Sequence, residues 1–108
     1  MPVIAAGSGV VTHINVFTVL PEKQQALVDA LTETVKAASA VPGWISASIH
    51  RSFDGRQVTN YVQFESQEAA QRVLRHLAAA GHLQRNTALA QSVAPGQYEV
   101  VFAIPGKD

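Results

Sequence analysis

Cysteine is absent from the 108-residue chain, so thiol nucleophiles, thiolate metal sites and disulfides are excluded together. This absence fits a cytoplasmic location, which is our expectation. An excess of charge of one sign is absent too, because eight Lys and Arg residues balance eight Asp and Glu residues. Without a basic stripe, nucleic-acid binding has no electrostatic support. No apolar run approaches the roughly 18 residues of a membrane span, so we expect neither nucleic acid nor a membrane as a partner.

The chain is short enough for one domain, and no repeat or linker-like stretch divides it. Apolar residues make up 47% of the sequence, which excludes a disordered chain. Residues 1–9 carry no basic residue and only a short apolar patch, unlike a signal peptide. We interpret them as a flexible leader, followed by a single domain over residues 10–108.

Strand and helix patterns alternate along this domain. Runs rich in β-branched residues predict strands, and apolar residues at helical spacing predict helices. The expected strands cover residues 10–20, 44–52, 57–65 and 97–104, and the expected helices cover residues 21–40 and 66–79, with a further short helix over 82–91. Asp54-Gly55 and Pro95-Gly96 are predicted turns between these elements. The order is typical of a ferredoxin-like α+β fold (βαββαβ), an antiparallel four-stranded sheet with both main helices on one face.

The sheet face away from the helices, here called the bare face, is predicted from the alternation along each strand. In the first strand, Ile14 and Val16 suit the helices, which leaves the bare face to His13, Asn15 and Phe17. In the second strand, the set that suits the helices is Ile45, Ala47 and Ile49, and the set left for the bare face is Trp44, Ser46, Ser48 and His50. Soluble monomers rarely keep a large apolar patch exposed, so we expect a homodimer.

The third strand is ambiguous, because the set of Val58, Asn60, Val62 and Phe64 can face either way. If Asn60 joins Asn15 and His50, these polar groups and nearby aromatic rings form a mostly apolar pocket with a few directional groups. Such a pocket is typical of a small-molecule site. The alternative is that these polar groups form hydrogen bonds across the dimer interface and bind nothing.

Several segments resemble antibiotic-biosynthesis monooxygenases, most closely the anthrone oxygenases that act on aromatic polyketides. They are residues 11–17, 41–44 and 60–66 and the pair His76 and His82, and the resemblance covers about residues 10–104. It implies a dimeric α+β barrel whose pocket includes Asn15, His50 and Asn60. Two positions depart from the family pattern: Phe64 stands where Trp is typical, and Ala70 where some members have Tyr.

The resemblance also implies an activity: oxidation of a small aromatic substrate, an anthrone or a hydroquinone, by dioxygen to a quinone, without a cofactor or a metal. His50 is then the expected proton acceptor, with Asn15 and Asn60 stabilising the developing enolate oxygen. The expected substrate-binding residues are His13, Phe17, Trp44, Phe64, His76 and His82.

Two other functions stay open at this point. Haem-degrading monooxygenases share the fold and use an Asn, a Trp and a helical His, for which His76 is the candidate. A non-catalytic, dimeric small-molecule-binding domain is the second alternative, because Phe64 lacks the indole N–H of the usual Trp.

Overall fold

The computed structural model of the protein describes residues 9–107, so the predicted leader lies outside the described residues except for Gly9. The elements in chain order are β1 (Val11–Thr18), a short 3-10 turn (Pro21–Lys23), α1 (Gln24–Ala38), β2 (Trp44–Arg51), β3 (Gln57–Phe64), α2 (Gln67–Ala79), α3 (His82–Ala88) and β4 (Ser92–Tyr98). The four strands form one antiparallel sheet in the order β2-β3-β1-β4. The predicted ferredoxin-like α+β fold is therefore confirmed.

The two main helices form where the sequence supplies an apolar face and a start signal. In α1, Leu27 and Leu31 recur at helical spacing and are buried against the sheet. In α2, Ser66 is the N-cap, and its Oγ accepts a hydrogen bond from the backbone N–H of Ala69 at 3.1 Å. Val73 and Leu77 then bury the apolar side of α2. Both helices cover the same face of the sheet, here called the helix face.

A glycine sets the entry of β2 against α2. Gly43 has a φ of +96°, which L-residues with side chains rarely adopt, and a Cβ there would overlap the Cβ of Ala69. The Gly43 carbonyl also accepts a hydrogen bond from the backbone N–H of Glu65 at 2.9 Å. The segment before Trp44 is therefore held directly against the first turn of α2.

The predicted facing of β2 is wrong at its start, because a register shift between Trp44 and Ser46 interrupts the alternation. Trp44 pairs with Phe64 and packs against the core on the helix face, whereas Ile45 is 41% exposed. After the shift, Ala47 and Ile49 face the helices as predicted.

The predicted facing of β1 is also wrong. His13 and Phe17 are buried on the helix face, where Phe17 packs in the core cluster that contains Leu27 and Leu31. Ile14 and Val16 lie on the bare face instead, half-buried. Both faces of β1 carry apolar side chains. Phe17 is larger than Ile14 or Val16, so it buries more apolar surface in the core than either of them would.

The last strand lies earlier than predicted. Pro95 and Gly96 are inside β4 rather than in a turn before it, and Pro95 pairs with Asn15 of β1. β4 is an edge strand, where a residue without an N–H is tolerated because one side of the strand has no partner in the sheet. After Tyr98, the side chains of Val101, Phe102 and Ile104 are 82%, 73% and 75% exposed.

A candidate active site between the sheet and the helices

A cavity of about 300 Å³ lies between the helix face of the sheet and the three helices. This volume is at the lower end of the range for small-molecule sites. The sheet contributes the aromatic lining and part of the polar lining, and the helices contribute mainly aliphatic side chains such as Leu31, Val73 and Leu77. The cavity is mostly apolar with a few polar groups, as predicted, but it lies on the helix face and not on the bare face.

Two asparagines meet on the sheet wall of the cavity. Asn15 and Asn60 are paired across β1 and β3, and the Asn15 Nδ2 donates a hydrogen bond to the Asn60 Oδ1 at 2.8 Å. This bond fixes both amides and leaves the Asn60 N–H₂ group available to a molecule in the cavity. A donor held in place in this way can stabilise negative charge that develops on a bound oxygen atom.

His13 lies beside them on the same wall. Its side chain is 5% exposed, and its ring makes an edge-on contact with Phe64 at a centroid distance of 4.9 Å. Burial lowers the pKa of His13 below its ordinary value, because desolvation disfavours the charged imidazolium. His13 Nε2 is buried and has no hydrogen-bond partner among the described residues.

His13 is also the only residue with an Asp, Glu, His, Lys, Arg or Tyr side chain among the described residues that line the cavity. A neutral imidazole at the wall of an apolar cavity can accept a proton from a bound acid. Within residues 9–107, no cluster of three or more acidic or histidine side chains is placed to hold a metal ion.

Aromatic rings complete this wall. Phe64 is buried and Trp44 lies directly opposite it on β2, and both line the cavity. Trp44 Nε1 is buried without a hydrogen-bond partner among the described residues. The only indole of the chain therefore belongs to position 44 and not to position 64. Phe17, another predicted binding residue, lines the cavity as well.

Three predicted site residues lie outside the cavity. His50 pairs with Thr59 on the bare face, where it is exposed and its Nε2 lies 2.8 Å from Ser48 Oγ. The expectation that His50 shares a face with Asn15 and Asn60 is wrong, because its neighbour Ile49 takes the position opposite Asn60. His76 is exposed on α2. His82 does not line the cavity, but its Nδ1 lies 3.1 Å from Oγ1 of Thr34, which does.

Sequence reasoning missed Asn86, which lies on α3, lines the cavity and is 3% exposed. Its Nδ2 donates a hydrogen bond to Thr34 Oγ1 at 3.0 Å. The signal that could have found it is its spacing, three residues after Leu83 on the apolar side of a short helix.

Comparison with known proteins agrees with this architecture. The model of the family described as antibiotic biosynthesis monooxygenase matches residues 10–85. The chain belongs to the antibiotic biosynthesis monooxygenase family. The resemblance seen in the sequence is confirmed.

The relatives of this chain include a named enzyme. Tetracenomycin-F1 monooxygenase from Streptomyces glaucescens is 43% identical over 68 residues, which is 62% of this chain and 61% of that protein. The match therefore spans about three fifths of the relative's length.

Within residues 9–107, no helix of this chain is long and apolar enough to span a membrane.

Solved structures share the fold. The monooxygenase from the gene ActVA-Orf6 of Streptomyces coelicolor, in complex with nanaomycin D, superposes with a TM-score of 0.76 at 27% identity, covering 93% of this chain and 94% of that one. SnoaB, a cofactor-independent oxygenase from Streptomyces nogalater, superposes with a TM-score of 0.76 at 20% identity, covering 91% of this chain and 99% of that one.

Proposed function

We propose that this chain is a monooxygenase that oxidises a small aromatic substrate, an anthrone or a hydroquinone, with dioxygen to a quinone and without a cofactor. The observation that carries the proposal is His13, buried and with its pKa lowered by that burial, beside the Asn15–Asn60 pair in a mostly apolar cavity. Family membership and the named monooxygenase relatives support the reaction type. SnoaB, which shares the fold and is a cofactor-independent oxygenase, supports a reaction that needs no cofactor.

His13 replaces His50 as the proton acceptor in this proposal, because His50 lies on the other side of the sheet. For an anthrone, His13 removes a proton from the reactive methylene carbon, and the negative charge spreads to the ketone oxygen. The Asn60 N–H₂ group donates a hydrogen bond to that oxygen, and Asn15 holds the Asn60 amide in position. Asn60 thus keeps the stabilising role that the resemblance implies, whereas Asn15 becomes a positioning residue.

The remaining steps take their electrons from the substrate. The carbanion transfers an electron to dioxygen, and the two radicals combine to form a carbon–oxygen bond and a peroxide anion. Protonated His13 returns its proton to the distal oxygen. The O–O bond then breaks as the carbon loses its second hydrogen as a proton, which gives a ketone and water. One oxygen atom enters the product, and the other leaves as water.

The apolar lining supports this chemistry by excluding water from the reactive carbanion. Phe64 and Trp44 provide aromatic surface on which the substrate rings can pack, with Phe17 deeper in the core. The haem-degrading alternative gains no support, because its helical candidate His76 is exposed and does not line the cavity.

A homodimer is also part of this proposal. The bare face carries Ile14, Val16 and Tyr61 side by side across β1 and β3. Close to them, Tyr98 at the end of β4 is 54% exposed, and the apolar side chains of residues 101–104 follow it. A second copy that packs on this face would cover both groups. The cytoplasmic location stays a prediction from the absence of cysteine.

The test is oxygen consumption by metal-free protein with a panel of anthrones and hydroquinones, with heat-inactivated protein as the control. We expect uptake above autoxidation and one oxygen atom from ¹⁸O₂ in each product molecule. Binding of the panel without uptake would instead favour a non-catalytic binding domain. Size-exclusion chromatography with light scattering tests the dimer, and a monomer at micromolar concentration would contradict it.

A further inference from the structure

The cavity has a second polar region at its helical side, where α3 meets α1. Asn86, which is 3% exposed, and Thr34 both line the cavity there, and a chain of contacts continues from Thr34 to His82 and Arg85. The sheet-side chemistry proposed above does not use any of these groups. Their hydrogen bonds determine which end of the Asn86 amide is left for a bound molecule.

The orientation of the Asn86 amide follows from counting protons. Arg85 only donates, so His82 Nδ1, which lies 3.2 Å from Arg85 Nη2, is an acceptor. Thr34 Oγ1 lies 3.1 Å from His82 Nδ1 and 3.0 Å from the Ala30 carbonyl oxygen, and both of these atoms accept. The single hydroxyl proton of Thr34 is therefore directed to one of them.

Thr34 consequently presents a lone pair to Asn86, at 3.0 Å, and the atom it contacts must be the amide nitrogen. This leaves the Asn86 Oδ1 as the free end of the amide. Oδ1 is buried and has no hydrogen-bond partner among the described residues. Asn86 lines the cavity, and a buried acceptor without a partner favours a ligand that brings a donor to it.

We propose that Asn86 is a specificity-determining residue whose Oδ1 accepts a hydrogen bond from a phenolic hydroxyl of the substrate. The inference rests on the proposed function, since it concerns the same cavity. It narrows the substrate class to hydroxylated aromatic ketones. The hydroxyl binds at the α3 side, and the ketone oxygen binds at the sheet side, where the Asn60 N–H₂ group is a donor.

Binding of non-reactive quinones tests this specificity without requiring turnover. Trp44 is the only tryptophan of the chain and lines the cavity, so quenching of its fluorescence reports occupancy. The ligands are a hydroxyanthraquinone and unsubstituted anthraquinone. We expect the hydroxylated compound to bind the unaltered protein about tenfold to hundredfold more tightly, as for one hydrogen bond to a buried acceptor.

The variant Asn86→Leu removes the acceptor at similar volume, and we expect it to abolish this preference by weakening only the hydroxylated ligand. Gln84→Leu, an exposed change on the same helix, is the matched control and should keep the preference. Equal weakening of both ligands by Asn86→Leu would indicate a purely structural role and overturn the proposal. Equal affinity of the unaltered protein for both ligands would overturn it as well, even if the variant does not fold.

The oxygen-uptake assay is a separate readout. A hydroxyl preference in binding without oxygen uptake would contradict the proposed oxygenase function and leave the role of Asn86 in recognition standing. Oxygen uptake without any hydroxyl preference, in binding or in kcat/KM, would contradict the role of Asn86 alone.

Discussion

Replacement of Gly43 by alanine should destabilise the protein strongly, because two separate effects act at this position. A side chain at a φ of +96° is disfavoured by about 1–2 kcal/mol. The new Cβ would also overlap the Cβ of Ala69, and overpacking of this kind costs about 1–3 kcal/mol. We therefore expect Gly43→Ala to lower the free energy of unfolding by about 2–5 kcal/mol, a large part of the stability of a small domain.

The matched control is Gly81→Ala. Gly81 has a similar φ of +82°, but a Cβ there would meet no atom within 4 Å. Only the backbone effect acts at this position, so we expect a loss of about 1–2 kcal/mol. The difference between the two variants isolates the contact between the β2 entry and α2.

Urea unfolding followed by Trp44 fluorescence measures both values, since Trp44 is the only tryptophan and directly follows Gly43. In an Ala69→Gly background, Gly43→Ala should lose its overlap and cost about as much as Gly81→Ala. If Gly43→Ala and Gly81→Ala are equally destabilising in the unaltered background, the close approach of β2 to α2 is refuted.

Further predictions concern two cavity residues, His13 and Asn60, and the Ser66 cap of α2. Burial lowers the pKa of His13 in the folded protein, so the unfolded chain binds more protons as the pH falls. Stability should therefore decrease as the pH falls below about 6.5 towards the lowered pKa, and urea midpoints should show a smaller decrease in His13→Gln. Ser66→Ala removes the cap of α2 and should cost about 1 kcal/mol in the same assay, and a cost near zero would contradict the Ala69 hydrogen bond. Asn60→Leu should reduce kcat for oxygen uptake by about 10²-fold, and unchanged kcat would remove Asn60 from the mechanism.

The element order and the fold were predictable from the sequence, because periodicity and turn residues report local structure directly. The Asp54-Gly55 turn between β2 and β3 and the Ser66 cap both lie where the pattern places them. β4 was misplaced, since a Pro-Gly pair usually marks a turn. Here it lies in an edge strand that tolerates the missing N–H of Pro95.

The facing of the strands was not predictable from alternation alone. A shift in the strand register between Trp44 and Ser46 moves Trp44 to the helix face. The local sequence pattern does not predict such a bulge. In β1, polar Asn15 faces the helices at little cost, because it lines a cavity and is paired with Asn60. A rule that places polar residues on the sheet face away from the helices fails at such a site.

The candidate site was partly predictable. The family resemblance placed Asn15, Asn60 and Phe64 in the pocket, and these three line the cavity. The resemblance and the predicted facing of β2 both placed His50 in the pocket as well, and for His50 both were wrong. Asn86 was missed because its burial depends on packing between α3 and α1. The roles of these residues in catalysis and binding stay predictions.

The most direct test of the central claim compares His13→Gln with His50→Gln in oxygen uptake on an anthrone that the unaltered protein oxidises. His13 lines the cavity and His50 lies on the opposite face of the sheet, so the pair separates the two candidate proton acceptors. We expect His13→Gln to lower kcat by about 10²-fold or more, whereas His50→Gln should leave kcat nearly unchanged. Loss of activity in His50→Gln with His13→Gln still active would contradict the central claim.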